Sequence, residues 1–184
     1  FYANSGGTNY WIIGDNAGAA EFMVYGIWIT GGGTGAGTAG VFTQGPETSV
    51  ANIPTTGTAT YSGTAVGSYA EADGTDYFVL SDVASTVDFA AGTLTFTNSN
   101  SSKSRTPNGS YASDTNLNFS GTGSITSGTN AVTGSSTATI GTNITNMVMG
   151  GEFFGPNAEN FGGIWTGNDP ATLEAYMMTF GATQ

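Results

Sequence analysis

Gly150-Gly151-Glu152-Phe153-Phe154-Gly155-Pro156-Asn157-Ala158-Glu159-Asn160-Phe161-Gly162-Gly163-Ile164-Trp165 reads as strand, tight turn, strand. Ahead of the turn, Met147, Met149, Gly151 and Phe153 alternate with Val148, Gly150, Glu152 and Phe154, a period of two that sends one set of side chains to each face. Beyond it, Phe161, Gly163 and Trp165 alternate with Asn160, Gly162 and Ile164. Gly155-Pro156-Asn157 supplies the turn: Gly accepts positive φ, Pro pre-sets φ and ends the ladder, and Asn bonds its own backbone. The pairs Gly150-Gly151 and Gly162-Gly163 flank that turn, and glycine inside a strand marks close backbone approach or the sharp bend a small barrel needs to close.

Working outward, about eight strands can be laid down, near 57–67, 83–90, 93–98, 115–126, 131–141, 146–154, 160–166 and 174–182, the number whose inward side chains just fill a small barrel. Ala59, Tyr61, Gly63 and Ala65 share a face, as do Val87 and Phe89, Leu94 and Phe96, Leu117 and Phe119, and Ala138 and Ile140, while the opposite face is mostly Thr, Ser, Asn and Asp. This predicts an all-β fold, a small antiparallel up-and-down barrel with apolar residues inside and hydroxyls outside. Small residues beside Phe and Tyr predict a filled interior, and Thr172–Tyr176 has room for one helical turn before the last strand.

Two domains are expected: residues 1–52 as a short N-terminal β extension with a Gly-rich linker, and residues 53–184 as the barrel. Residues 1–8 read as a frayed start, Tyr10 to Ile13 as a short strand entering a turn at Gly14 to Gly18, and Glu21 to Thr30 as a longer strand. Phe22, Val24, Gly26 and Trp28 fall on one face of that strand, Met23, Tyr25, Ile27 and Ile29 on the other. Both faces are apolar, so it needs cover on two sides, from the barrel wall and a further layer or from a partner. The glycine run Gly31 to Gly37 has no Gly-Lys-Ser/Thr and no helix after it to hold an anion, so it reads as a linker and not a phosphate loop.

Charge removes whole function classes. The formal net charge is −11, and Lys103 and Arg105 are the only cations. Phosphate binding through basic contacts, and with it nucleic acid as a partner, is excluded, and anionic headgroups would repel the chain. No segment approaches the roughly 20 apolar residues of a spanning helix, so no membrane span is expected and the module reads as soluble. There is no His and no Cys. That rules out Ser-His-Asp and Cys-His nucleophiles, every His- or Cys-ligated metal and His-ligated haem, leaving Tyr or Met ligation formally open. It also means no disulfide and no lipid-anchoring Cys, and Phe1 is expected to follow a processed or trimmed leader.

Two connections carry candidate sites. Glu71-Ala72-Asp73-Gly74-Thr75-Asp76 gathers Glu71, Asp73 and Asp76 around a glycine, a fragment of what a calcium loop needs but without the regular spacing and terminal Glu of an EF-hand; a solvated acidic loop is expected, calcium is the weak alternative, and no other cofactor is expected. Asn98 to Asp114 is Ser/Asn-rich, contains Pro107-Asn108-Gly109 and reads as a mobile hairpin tip on which Lys103 and Arg105 form a positive spot. Partner contact, with a protein or with a second copy, is assigned to Tyr25, Ile27 and Ile29 on the two-faced strand and to Lys103 and Arg105 at the tip. The barrel wall is expected to offer no open edge and no apolar patch. Glu152 and Glu159 flank the signature turn, and paired carboxylates are the one catalytic arrangement left, suited to glycoside chemistry.

The quoted hairpin resembles the signature of the β-barrel domain of bacterial transferrin-binding-protein-B-like surface proteins. Ile53 to Gly67 resembles that family's first barrel strand, Val87-Asp88-Phe89-Ala90-Ala91-Gly92-Thr93-Leu94 is similar to its DF-x-x-GT-[LV] hairpin, and Phe180-Gly181-Ala182 to its closing FGA; Tyr25-Gly26-Ile27-Trp28 and Gly40-Val41-Phe42 give weaker echoes. The resemblance implies a rigid platform whose loops or adjoining segments hold a protein or iron-source ligand, on a bacterial outer-membrane surface or as a secreted, extracellular module. It also implies that Gly155, Pro156 and Glu159 are structural, the Glu159 carboxylate accepting backbone N–H groups at the turn. A non-enzymatic binding module is therefore expected. A structural subunit of an extracellular self-assembling polymer or surface layer, packing through Glu21 to Thr30, is the alternative.

Overall fold

A computed structural model describes residues 2–6 and 9–14 as backbone and residues 21–30 and 38–184 in full. The expected turn at 14–18 and the glycine linker at 31–37 lie outside the described residues, apart from the backbone of Gly14.

Four strands, β1 (Tyr2–Gly6), β2 (Asn9–Gly14), β3 (Val24–Thr30) and β4 (Thr38–Gln44), form an antiparallel sheet in chain order. After a connector with one 3-10 turn at Val50–Asn52 come β5 (Thr58–Ala70), β6 (Asp76–Asp88), β7 (Thr93–Ser104), β8 (Ala112–Ser113), β9 (Phe119–Ile125), β10 (Ala131–Ser136), β11 (Met147–Phe154), β12 (Asn160–Asp169) and β13 (Glu174–Thr183). All of these but β8 pair with their neighbours in chain order, and β13 returns to β5 through nine register pairs, from Ala175 opposite Ala70 to Thr183 opposite Ser62. The result is a closed, up-and-down, eight-stranded barrel, with β8 an added rib on β7. Residues 170–173 form a turn closed by the Leu173 N–H donating to the Asp169 carbonyl at 2.9 Å, and β13 starts at once at Glu174 in place of the expected helical turn.

Alternation decides what fills the barrel. Trp165, fully buried, stacks on Phe180 at 4.5 Å and on Phe96 at 5.7 Å between ring centres, and Phe119 meets it edge-on at 5.1 Å. A second aromatic layer of Tyr61, Phe89, Phe153 and Phe161 lies toward the signature turn, where the Tyr61 hydroxyl donates to the Ala158 carbonyl at 2.7 Å. Rings in contact at these distances leave side chains where a calyx would have space. In β7, Asn100 takes φ 53 where the pairing with β6 shifts between Leu80 and Asp82. This bulge turns both Asn98 and Ser101 inward, and Asn98 Nδ2 then reaches Ser101 Oγ at 3.0 Å and the Leu117 carbonyl at 3.1 Å.

The outer wall departs from its expected all-polar character. Val66, Phe78 and Phe154 are buried on it, with Leu80 half-buried, under Met23, Tyr25 and Ile27 of the small sheet. Strand β3 lies over β5 and β13, and β4 over β13 and β12. Thr43 and Thr179 share a hydroxyl contact at 2.9 Å, and Thr179 Oγ1 also donates to the Phe42 carbonyl at 2.9 Å. A Cβ at Gly162 would collide with Met23, and one at Gly181 with the Tyr25 ring. These strand glycines therefore seat the small sheet on the barrel, a role beyond the bending expected of the pair at Gly162-Gly163.

Candidate functional site

At the signature turn, Gly155 has φ +89, and a Cβ there would lie 2.5 Å from Glu159 Oε2 and 2.7 Å from the Phe22 ring. Both conditions select glycine. Asn157 donates its backbone N–H to Glu159 Oε2 and its side-chain amide to Oε1, each at 2.8 Å. Burial pushes the Glu159 carboxyl up, but these hydrogen bonds outweigh it and hold the group below the usual range. Pro156 keeps its carbonyl free to accept from Asn52 Nδ2 at 2.9 Å, tying the connector to the turn. An open recess of about 340 Å³ lies beside it, lined by Glu21, Phe22, Glu159, Asn160, Thr183 and Gln184.

The opposite end of the barrel holds the cations. Lys103 belongs to the ladder of β7 and not to a free tip: it pairs with Val79 on one side and Ala112 on the other. Its ammonium is 2.6 Å from Glu71 and 2.9 Å from Asp114, with the Tyr77 ring centre at 4.4 Å and that of Tyr69 at 5.4 Å. Burial favours the neutral amine, but the two carboxylates outweigh it and raise the group above its ordinary range. Lys103 is thus consumed by its own chain. The segment beyond it folds back, with Tyr111 packed on the seam between the sheets and its hydroxyl donating to the Pro107 carbonyl at 3.3 Å. Arg105 remains exposed.

Glu71, Asp73 and Asp76, the weak calcium candidates, are spread apart by the same geometry. Glu71 is committed to Lys103; Asp73 accepts from the Thr75 N–H at 2.8 Å, which holds its carboxyl low; Asp76 opens β6 and faces solvent. No three acidic side chains gather among the described residues. The partner assignment on β3 is likewise divided. Tyr25 and Ile27 are 0% and 1% exposed against the barrel, so they are spent within the chain, and Ile29 is half-buried beside them. The Tyr25 hydroxyl lies 2.5 Å from Thr64 Oγ1.

Glu174 is a carboxylate that sequence reasoning passes over. It is 1% exposed, accepts the Tyr69 hydroxyl, and receives the N–H groups of Thr142 at 3.0 Å and Asn143 at 2.8 Å. Burial works against its charge, and the three donors outweigh burial and depress it. Its one signal is register: Glu174, Tyr176, Met178 and Phe180 alternate inward, and an acid on an inward row must be hydrogen-bonded to be tolerated. Its role is to pin the 141–143 loop across one mouth of the barrel.

The family model of the C-lobe and N-lobe beta barrels of Tf-binding protein B matches residues 53–184. No curated protein matches the sequence. Among solved structures, a mutant of the vaccine antigen Transferrin Binding Protein B from Haemophilus parasuis Hp5 is similar with TM-score 0.69 and 17% identity, covering 96% of this chain and 35% of that one. Isotype 1 Transferrin binding protein B from serogroup B Neisseria meningitidis gives TM-score 0.64 and 19% identity over 99% of this chain and 34% of the other. A mutant Transferrin Binding Protein B from Actinobacillus pleuropneumoniae H49 gives 0.61 and 18%, over 94% and 80%. At these identities the likeness is one of fold, and the chain spans about a third of the length of the first two.

Proposed function

The chain belongs to the family of C-lobe and N-lobe β-barrels of transferrin-binding protein B, and on that premise we propose that it is a non-enzymatic binding module of a bacterial cell surface that holds a protein partner on its exterior. The observation that carries this reading is the filled barrel: with Trp165 stacked between Phe96 and Phe180, a small ligand gains entry only by displacing the core. Binding therefore falls to exposed loops and to the small sheet, and an iron source would be captured as a protein. Without His or Cys, and with Glu174 and Glu159 committed to backbone donors, the described carboxylates support scaffold roles rather than hydrolysis.

The test is equilibrium binding of iron-loaded transferrin, iron-free transferrin, haem and a ferric chelate to the immobilised chain. Saturable retention of a protein with no retention of the small ligands supports the reading. Retention of haem or the chelate, with loss of Trp165 emission, would sink it.

A second reading, a structural subunit of a self-assembling polymer or surface layer, draws on one observation. Strands β1 to β4 contain no Asp, Glu, Lys or Arg in a chain with 13 acidic residues, which leaves two copies one surface without mutual repulsion. Sedimentation across a concentration series separates the readings, since a concentration-independent monomer removes this one.

A further inference from the structure

Strand β4 pairs with β3 and with no other strand among the described residues. In an antiparallel ladder alternate residues direct their N–H and C=O to opposite sides, so half of the backbone groups of Thr38–Gln44 point away from β3. The usual guards of such an edge are missing: it has no Lys, no Pro and no charge, and its seven register pairs with β3 run without a shift. The small sheet is laid over β5, β13 and β12 in that order, so the bare edge is turned toward β12 and then β11. On that part of the wall Ile164 is half-buried and Val148 is 59% exposed. Gly150 stands opposite Ile164 in the ladder, with open space where a Cβ would lie.

One end of this step is acidic. Glu47 bridges to Phe154, and burial, then the charge of the neighbouring Glu47, push the Glu152 carboxyl above the usual carboxylate range. Neither cation of the chain serves the pair. Lys103 is held by Glu71 and Asp114 at the other end of the barrel, and Arg105 lies beside Asp73 at that same end.

We propose that the step between the β4 edge and the outer faces of β11 and β12 seats an extended segment of a partner protein, which pairs with β4 as a fifth strand and brings a Lys or Arg to Glu47 and Glu152. Its inward apolar side chains rest on Val148 and Ile164, and Gly150 leaves the depth they need. Main-chain pairing would supply affinity and the basic end would supply register. A second copy of the chain does not fit, because its four small-sheet strands carry no cation, its Lys103 is already paired, and its Arg105, though exposed, lies outside every strand. The seat rests on the reading of the chain as a protein-binding module.

The probe is acetyl-Lys-Thr-Val-Thr-Val-Thr-Val-amide, in which Lys and the three Val share one face, oriented so that antiparallel pairing places its Lys at the acidic end, titrated into the full chain labelled with 15N. Amide shifts confined to residues 38–44, 148–152 and 164, with at least tenfold weaker binding when the peptide Lys is replaced by Glu or its central Val by Pro, are expected. Gly150→Val fills the open space with a strand-compatible side chain, and should abolish the shifts while leaving the rest of the spectrum unchanged. No shift in β4 at millimolar peptide, or equal binding by the Lys and Glu peptides, would overturn the seat. Retention of a protein by the immobilised chain that is insensitive to Gly150→Val would overturn the seat alone and leave the broader reading standing.

Discussion

Tyr25 covers Gly181: the ring of one occupies the space a Cβ on the other would need. This contact joins β3 to β13 across the seam where the small sheet meets the barrel. Gly181→Ala should lower stability by about 1–3 kcal/mol through overpacking, and the loss should fall mainly on β3 and β4. Hydrogen exchange read strand by strand checks this; equal loosening of the barrel strands would show that the two sheets unfold as one.

Glu174→Gln keeps the shape of the side chain but gives up its charge toward the N–H groups of Thr142 and Asn143. We expect a loss of about 1.5–3 kcal/mol at neutral pH, the range for hydrogen bonds to a charged group. The folded carboxyl titrates below its unfolded value, so its contribution is present above the ordinary Glu range and is lost as pH falls through the folded pKa. Urea titrations should accordingly find wild type and variant converging in acid. A gap that stays constant down to pH values well below about 4 would contradict the assignment.

Lys103→Met removes one ammonium from between Glu71 and Asp114 and from the face of Tyr77. The side chain is 20% exposed, so screening limits the loss to about 1 kcal/mol. The variant should gain stability with added salt while wild type loses some, because salt now screens a repulsion. Parallel salt responses would show the pair to be ornamental.

Glu159→Ala takes the acceptor from the Asn157 N–H at the signature turn. About 1 kcal/mol is expected, comparable to loss of a cap, with partner affinity unchanged. Thermal unfolding alongside the transferrin measurement tests both halves; unchanged stability with lost binding would make Glu159 a contact residue.

The hairpin around Gly155 is legible in the sequence because its signals are local: period-two side chains, a positive-φ glycine, and an acid two residues from the N–H it caps. The contents of the barrel are legible for the same reason, since alternation alone sends Tyr61, Phe96 and Trp165 to one side. What escapes is set by pairing between distant strands. Lys103 looks like a free charge until β7 lies beside β6 and β8, which bring Glu71 and Asp114 to it. Tyr25 and Ile27 look like an interface because a strand with two apolar faces announces that it needs cover without saying whose. The cover is the barrel's own wall, made receptive by Gly162 and Gly181, whose use as a seat no local rule reveals.

The closing seam between β5 and β13 has a kinetic consequence. Every other barrel pairing joins neighbours in the chain, but this one brings Ser62 to Thr183 and so closes nearly the whole barrel sequence into one loop. Loop-closure entropy of that kind is repaid only at the end, which slows folding. Until Glu174–Thr183 arrives, β5 and β12 each present a bare edge, and a chain halted at that point is a curled ribbon with two sticky margins. Synthesis in the N-to-C direction therefore delivers the locking strand after every other strand of the barrel, and the wall stays open until β13 has emerged.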